Sequence, residues 1–203
     1  MARPSGLQLE TPPHETKQRL LEAGLELFLA KGYGDTGIQD LLDATGIPRG
    51  SFYHHFENKE DFALQVIDRY MAGVHQALDA VLSDRRRRPL ERIRAFFQGV
   101  RQSYASEGYL GCLLGALGQE LAGVSKVFRV KIEGCLSAIA LRIAGCLDEA
   151  RQRGELPSDV DPRLFANVLV NCWEGAALRS RLLRDPSPLD GVLDFCFNAV
   201  RSS

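Results

Sequence analysis

The sequence predicts an all-α protein of about nine helices, with a three-helix unit at the N-terminus and a larger helical domain behind it. Three observations carry this. Apolar residues recur at three- and four-residue spacing along most of the chain. The breaks between these stretches are marked by Gly and Pro. Sustained two-residue alternation with β-branched enrichment, the signature of strands, is missing.

Residues 1–13 hold three prolines, one Arg and few apolar side chains, so 1–14 is expected to be a flexible arm. From Glu15 the pattern turns helical: Leu20, Ala23, Gly24, Leu27 and Phe28 form one apolar stripe. Lys31-Gly32-Tyr33-Gly34 supplies the stop, with Gly32 suited to a left-handed cap. Thr36 is expected to open the next helix in a capping box with Gln39. Ile38, Leu41, Leu42 and Thr45 share its inner face, and Gly46 ends it. Pro48 suits the first turn of a third helix, Arg49 to Phe56. Asn58 is a good N-cap for a fourth helix, with Glu60 and Asp61 at its positive end. That helix carries Phe62, Val66, Tyr70 and Val74 and is expected to run to about Leu82. After Asp84, the Arg85–Arg88 run and Pro89, further helical stretches are expected near 90–106, 110–122, 124–153, 162–183 and 188–201. The domains then divide as 15–60 and 61–203.

Composition narrows the function. The chain has 203 residues, 45% apolar and 25% charged, with net charge −1, which excludes a polycation held to nucleic acid or membrane by bulk charge. Residues 1–60 hold six Lys/Arg against nine Asp/Glu, or −3, so any nucleic-acid contact there must rest on a few placed side chains. No apolar run is long enough for a membrane span, and the first ten residues lack the apolar core of a secretory signal. A cytoplasmic protein is expected. The five cysteines, Cys112, Cys135, Cys146, Cys172 and Cys196, form no Cys-x-x-Cys pair and no zinc-spaced cluster, so free thiols, no metal and no cofactor are expected.

The helices at 36–45 and 49–56 are joined by Gly46-Ile47-Pro48 and backed by the first helix, the helix-turn-helix layout in which the second short helix enters the DNA major groove. Phe52 and Phe56 face the core, leaving Arg49, Gly50, Ser51, Tyr53, His54 and His55 outward. Lys59 adds a cation at the next helix start, where backbone amides already favour a phosphate. On spacing alone, a helical hairpin with solvated histidines fits as well.

The residues go further than the spacing. Thr36-Gly-Ile-Gln-Asp-Leu-Leu-Asp-Ala-Thr-Gly-Ile-Pro-Arg-Gly-Ser-Phe-Tyr-His-His-Phe-Glu-Asn-Lys59 closely resembles the DNA-binding signature of the tetracycline-repressor (TetR) family, with the match covering about 15–70. The resemblance implies a homodimeric bacterial transcriptional regulator that pairs a DNA-binding module with a helical domain for a small-molecule effector and for dimerisation. It places phosphate contacts on Thr36, Tyr53, His55 and Lys59, and base reading near Gln39, Arg49, Gly50, Ser51 and His54. The basic arm of many relatives is reduced here to Arg3 and His14.

Two later segments resemble a narrower subgroup that responds to acrylate or reactive electrophiles: Gly111-Cys-Leu-Leu-Gly-Ala-Leu-Gly-Gln-Glu-Leu121 and Trp173-Glu-Gly-Ala-Ala-Leu-Arg179. Ala116 stands where those relatives often carry Asn. The effector, a small electrophile or unsaturated acid, is expected among Phe97, Tyr104, Cys112 and Trp173. Cys112 sits near a helix start whose amides favour a thiolate, although a small buried hydrophobe is the alternative. Cys135 and Cys146 share a helix face and read as core, and Cys172 and Cys196 as interface or core. Helices 162–183 and 188–201 are apolar on more than one face and are expected to form a four-helix dimer seam. The expected partners are therefore double-stranded operator DNA, an effector and a second copy of the chain. The arginine run at 85–88 reads as a solvated loop or a flanking phosphate contact. An enzyme finds no Gly-x-Ser-x-Gly, His-Glu-x-x-His or Gly-rich phosphate loop, and a protein-binding adaptor is the remaining rival.

Overall fold

The computed structural model describes residues 13–199. Most of the expected arm, Arg3 included, and the last residues of the 188–201 stretch lie outside that range. Among the described residues there are nine helices and no strand. They are α1 (Pro13–Lys31), α2 (Ile38–Thr45), α3 (Arg49–His55), α4 (Lys59–Leu82), α5 (Pro89–Ser106), α6 (Leu113–Leu121), α7 (Lys126–Gln152), α8 (Pro162–Leu183) and α9 (Ser187–Ala199).

Local chemistry sets most boundaries. Gly46 takes the left-handed conformation at φ 69° and closes α2 through its N–H on the Leu42 carbonyl. Asn58 Oδ1 accepts from the Asp61 N–H at 2.9 Å to start α4. Asp161 accepts from the Arg163 N–H at 2.8 Å to start α8.

Two boundaries differ from expectation. Thr36 does not cap α2: its buried hydroxyl donates to the Gly32 carbonyl at 2.6 Å. Gly37 is the cap, and its N–H donates to Asp40 Oδ2 at 2.6 Å, so the carboxylate of Asp40 replaces the amide of Gln39. The helix expected from 110 begins instead at Leu113, because Gly108, Tyr109 and Gly111 all have positive φ and no helix passes through them.

The N-terminal unit packs α1 on α2 and α3, and α4 closes it. Phe52 is fully buried, with ring centroids 5.2 Å from Phe56 and 5.4 Å from Phe62. Phe62 also meets Phe28 at 5.9 Å, so one α4 residue joins α1 and α3. A Cβ at Gly24 would lie 2.4 Å from the Phe62 ring, which is why α1 carries glycine at its closest approach to α4. Further along, α4 packs on α5 and α7, and α7 packs on α8, which packs on α9. Helix α4 therefore belongs to both cores.

Arg92 is buried, donates to the Leu82 carbonyl at 2.6 Å and pairs with Glu149 at 2.7 Å, pinning α5 to the end of α4 and to α7. The arginine run before it is engaged on the surface: Arg85 with Glu149, Arg86 and Arg87 with Asp84, Arg88 with Glu91. Cys135 and Cys146 are buried on α7 as expected, and Cys196 is buried on α9, whereas Cys172 is exposed on α8.

Candidate nucleic-acid interface and effector cavity

Helix α3 buries Phe52 and turns Arg49, Gly50, Tyr53 and His54 to solvent, with Ser51 and His55 half-buried. Tyr53 is 48% exposed, a large ring left in water for which the interior gives no use. The Arg49 guanidinium lies 5.9 Å from its centroid. Burial, followed by the neighbouring His54 and Lys17, holds the His55 imidazole below its ordinary pKa. Gln39 is exposed on α2, where its amide donates to Asp43 at 2.8 Å. Arg49, Gly50, Tyr53, His54 and Gln39 make up part of the exposed side of the α2–α3 unit. Thr36 does not join it, since its side chain is fully buried beneath the turn.

That turn, between α1 and α2, is gripped from two sides. Lys59 Nζ donates to the Tyr33 carbonyl at 2.6 Å and stands 4.2 Å over the Tyr33 ring. From the other domain, the Glu120 carboxylate on α6 accepts the N–H of Tyr33 at 2.8 Å and that of Gly34 as well. Gly32, at φ +84°, brings the backbone so near that a Cβ would sit 2.9 Å from Glu120 Oε2. The Tyr33 ring also meets Phe128 of α7 at 5.4 Å. The helix-turn-helix is thus bonded to the larger domain through its first turn.

Helix α6 starts beside a cavity of about 510 Å³. Phe97, Tyr104, Cys112 and Trp173, the four residues singled out in the sequence, all line it. Phe97 and Trp173 pack with centroids 4.7 Å apart and ring planes tilted by 52°, and Tyr104 lies 6.4 Å from Trp173. Sequence reasoning missed Tyr70 and Glu174. The Tyr70 hydroxyl is 3.6 Å from Cys112 Sγ, and Glu174 faces the same sulfur. A second cavity of about 450 Å³ lies beside the end of α1 and shares Leu110, Gly111, Cys112 and Glu174 with the first.

Cys112 is not the activated thiolate its place at a helix start suggests. The Gly115 amide does favour the anion, but burial and then the Glu174 carboxylate outweigh it and push the thiol up to about 12. At neutral pH the sulfur is protonated. Burial also raises the Glu174 carboxyl above its usual range. Glu174→Gln removes the repelling carboxylate, so the thiol pKa falls and the thiolate fraction at pH 8 rises. Iodoacetamide should therefore alkylate Cys112 faster in that variant, read by mass mapping of the modified peptide. An unchanged rate contradicts the assignment of Glu174 as the suppressing group.

Comparison with known proteins agrees with this layout. Residues 20–66 match the family described as bacterial regulatory proteins, tetR family, and residues 89–195 match the tetracyclin repressor-like C-terminal domain. The transcriptional regulator AcuR of Cereibacter sphaeroides is 40% identical over 173 residues, covering 85% of this chain and 79% of that protein. The chain belongs to the TetR family. Within that family, it is 32% identical to the HTH-type transcriptional repressor DhaR of Mycobacterium sp., over 92% of this chain and 93% of that one. A crystal structure of regulatory protein TetR from Rhodobacter sphaeroides superposes with TM-score 0.86 at 38% identity, covering 89% and 96% of the two chains. TetR-family members are DNA-binding transcriptional regulators that act as dimers and respond to small molecules, and the relatives are named as regulators rather than enzymes. Among the described residues no helix is long and apolar enough to cross a membrane.

Proposed function

We propose that the chain is a ligand-responsive repressor that binds a pseudo-palindromic operator as a homodimer and leaves it when a small molecule fills the α4–α5–α8 cavity. One observation carries this reading: α6 is capped at the cavity by Cys112 and in its last turn carries Glu120, which holds the Tyr33–Gly34 turn that opens the helix-turn-helix. The division of labour is 15–60 for DNA and 61–203 for effector and dimer, with α4 as the member shared between them.

On DNA, Arg49, Gly50, Ser51 and His54, with Gln39 from α2, face base edges, while Tyr53, His55 and Lys59 meet phosphates. Thr36 supports the turn from beneath it. The dimer forms through α8 and α9. Leu164, Val168 and Cys172 lie at successive turns of one exposed α8 face, followed by Leu182, and Phe195 on α9 is 76% exposed. A second copy covers this stripe and fixes the distance between the two α3 helices. Effector release needs a cavity that is occupied more tightly in the state with misplaced α3 helices.

Fluorescence anisotropy with the DNA upstream of the chain's own gene tests the reading. Saturable binding at low salt by a folded dimer is expected, and its absence overturns the proposal. Glu120→Ala tests the link. The carboxylate holds two backbone amides of the α1–α2 turn, so the variant should bind operator about tenfold more weakly, ~1.4 kcal/mol, with its thermal melt retained. Equal affinity removes Glu120 from the coupling route.

A further inference from the structure

We infer that the cavity takes a small organic cation, a protonated amine whose apolar body packs on Phe97, Tyr104 and Trp173 and whose ammonium sits on the Glu174 carboxylate. This rests on the reading of the cavity as the effector site and names the chemistry that site selects.

The charged residues lining the cavity are mostly acidic. Glu22, Glu26, Glu107 and Glu174 contribute carboxylates, and Arg69 is the one Lys or Arg among the lining residues. Arg69 already pairs with Glu22 at 3.5 Å. Glu22, Glu26 and Glu107 are exposed and Glu174 is the half-buried member, so an unsaturated acid or any other carboxylate entering the cavity would meet a like charge at Glu174, where burial leaves it less screened. An ammonium group finds the reverse. Aromatic faces attract cations, and Phe97, Tyr104 and Trp173 stand together on one wall.

Glu174 is seated for the role. A Cβ at Gly115 would lie 2.5 Å from Glu174 Oε2, so the missing side chain of Gly115 is what leaves the carboxylate its space. Beside it the Tyr70 hydroxyl and Cys112 sulfur are within 3.6 Å of one another, two further atoms able to accept from an N–H donor. Burial makes the Glu174 carboxylate costly there despite its hydrogen bond with Cys112, and a bound cation compensates that cost. Glu174 also lines the second cavity against the end of α1, so an ammonium on its carboxylate bears on the wall between effector and DNA-binding unit.

The chain has one tryptophan, Trp173, in the cavity wall, so its emission reports occupancy directly. The full chain is titrated with three size-matched probes: cyclohexylmethylamine, cyclohexylmethanol and cyclohexanecarboxylate. The amine is expected to bind about tenfold or more tightly than the alcohol, with the carboxylate weakest. Glu174→Gln should weaken the amine about tenfold while leaving the alcohol within about threefold. Where that variant fails to fold, Glu174→Asp, which keeps the charge but retracts it, serves with an intermediate loss expected. Equal or tighter binding of the carboxylate or the alcohol, no saturable binding by any probe, or an amine affinity indifferent to Glu174 overturns the inference. Operator anisotropy in the same samples separates the two claims. An amine that binds through Glu174 without releasing DNA leaves the cation site standing and removes its effector role.

Discussion

Lys59→Ala is expected to weaken operator binding by about 30- to 1000-fold, from ~1–2 kcal/mol lost at each of two half-sites. The lysine stands at the start of α4, where backbone amides already favour a phosphate, and its ammonium is aimed by the Tyr33 carbonyl at 2.6 Å and the Tyr33 ring at 4.2 Å. Alanine therefore removes a cation and also releases one of the two grips on the α1–α2 turn. Because the contact reads no base, affinity for unrelated DNA should fall in parallel, and the salt dependence should shallow by about one to two in log–log slope across the dimer. Anisotropy at several salt concentrations reads both quantities. A loss under about threefold at low salt, with the melting profile of the parent, would remove Lys59 from the DNA contact.

Phe52→Ala is expected to cost about 3–5 kcal/mol of folding stability. The side chain is fully buried and touches Phe56, Phe62 and Tyr53, so its removal leaves a void at the meeting point of α3 and α4. For a chain of this size that corresponds to a melting temperature lower by roughly 6–20 °C. Calorimetry provides the check. A drop of only about a degree would mean that Phe52 is not the centre of the N-terminal core.

The parts of this structure legible in the sequence are those decided locally. Gly46 and Asn58 act within one turn of themselves, so the C-terminal end of α2 and the start of α4 follow from residue type and spacing. The four-residue spacing of Phe52 and Phe56, both buried, sets in the same way which α3 residues are left outward. What stayed hidden depends on partners distant in sequence. The Glu120 carboxylate meets backbone groups 86 and 87 residues away, and nothing in its own neighbourhood announces them. Periodicity turned Tyr70 inward, but it does not distinguish a packed wall from a cavity wall. Glu174 lay unnoticed beside Trp173 because its significance comes from the space left by Gly115 and from the sulfur of Cys112. Thr36 misled for a related reason. Its hydroxyl donates back to the Gly32 carbonyl, and the cap falls one residue later, at Gly37, whose N–H donates to Asp40.

The central claim, that α3 reads DNA twice across a dimer and that Lys59 anchors each copy, is tested most directly by hydroxyl-radical footprinting on the DNA upstream of the gene with parent chain and Lys59→Ala side by side. The account predicts two protected half-sites related by a dyad, centred about 34–36 Å or a multiple of that apart, present with the parent and lost with the variant at equal protein concentration. A single unpaired footprint, no footprint by a folded dimer, or protection that survives Lys59→Ala unchanged would contradict it.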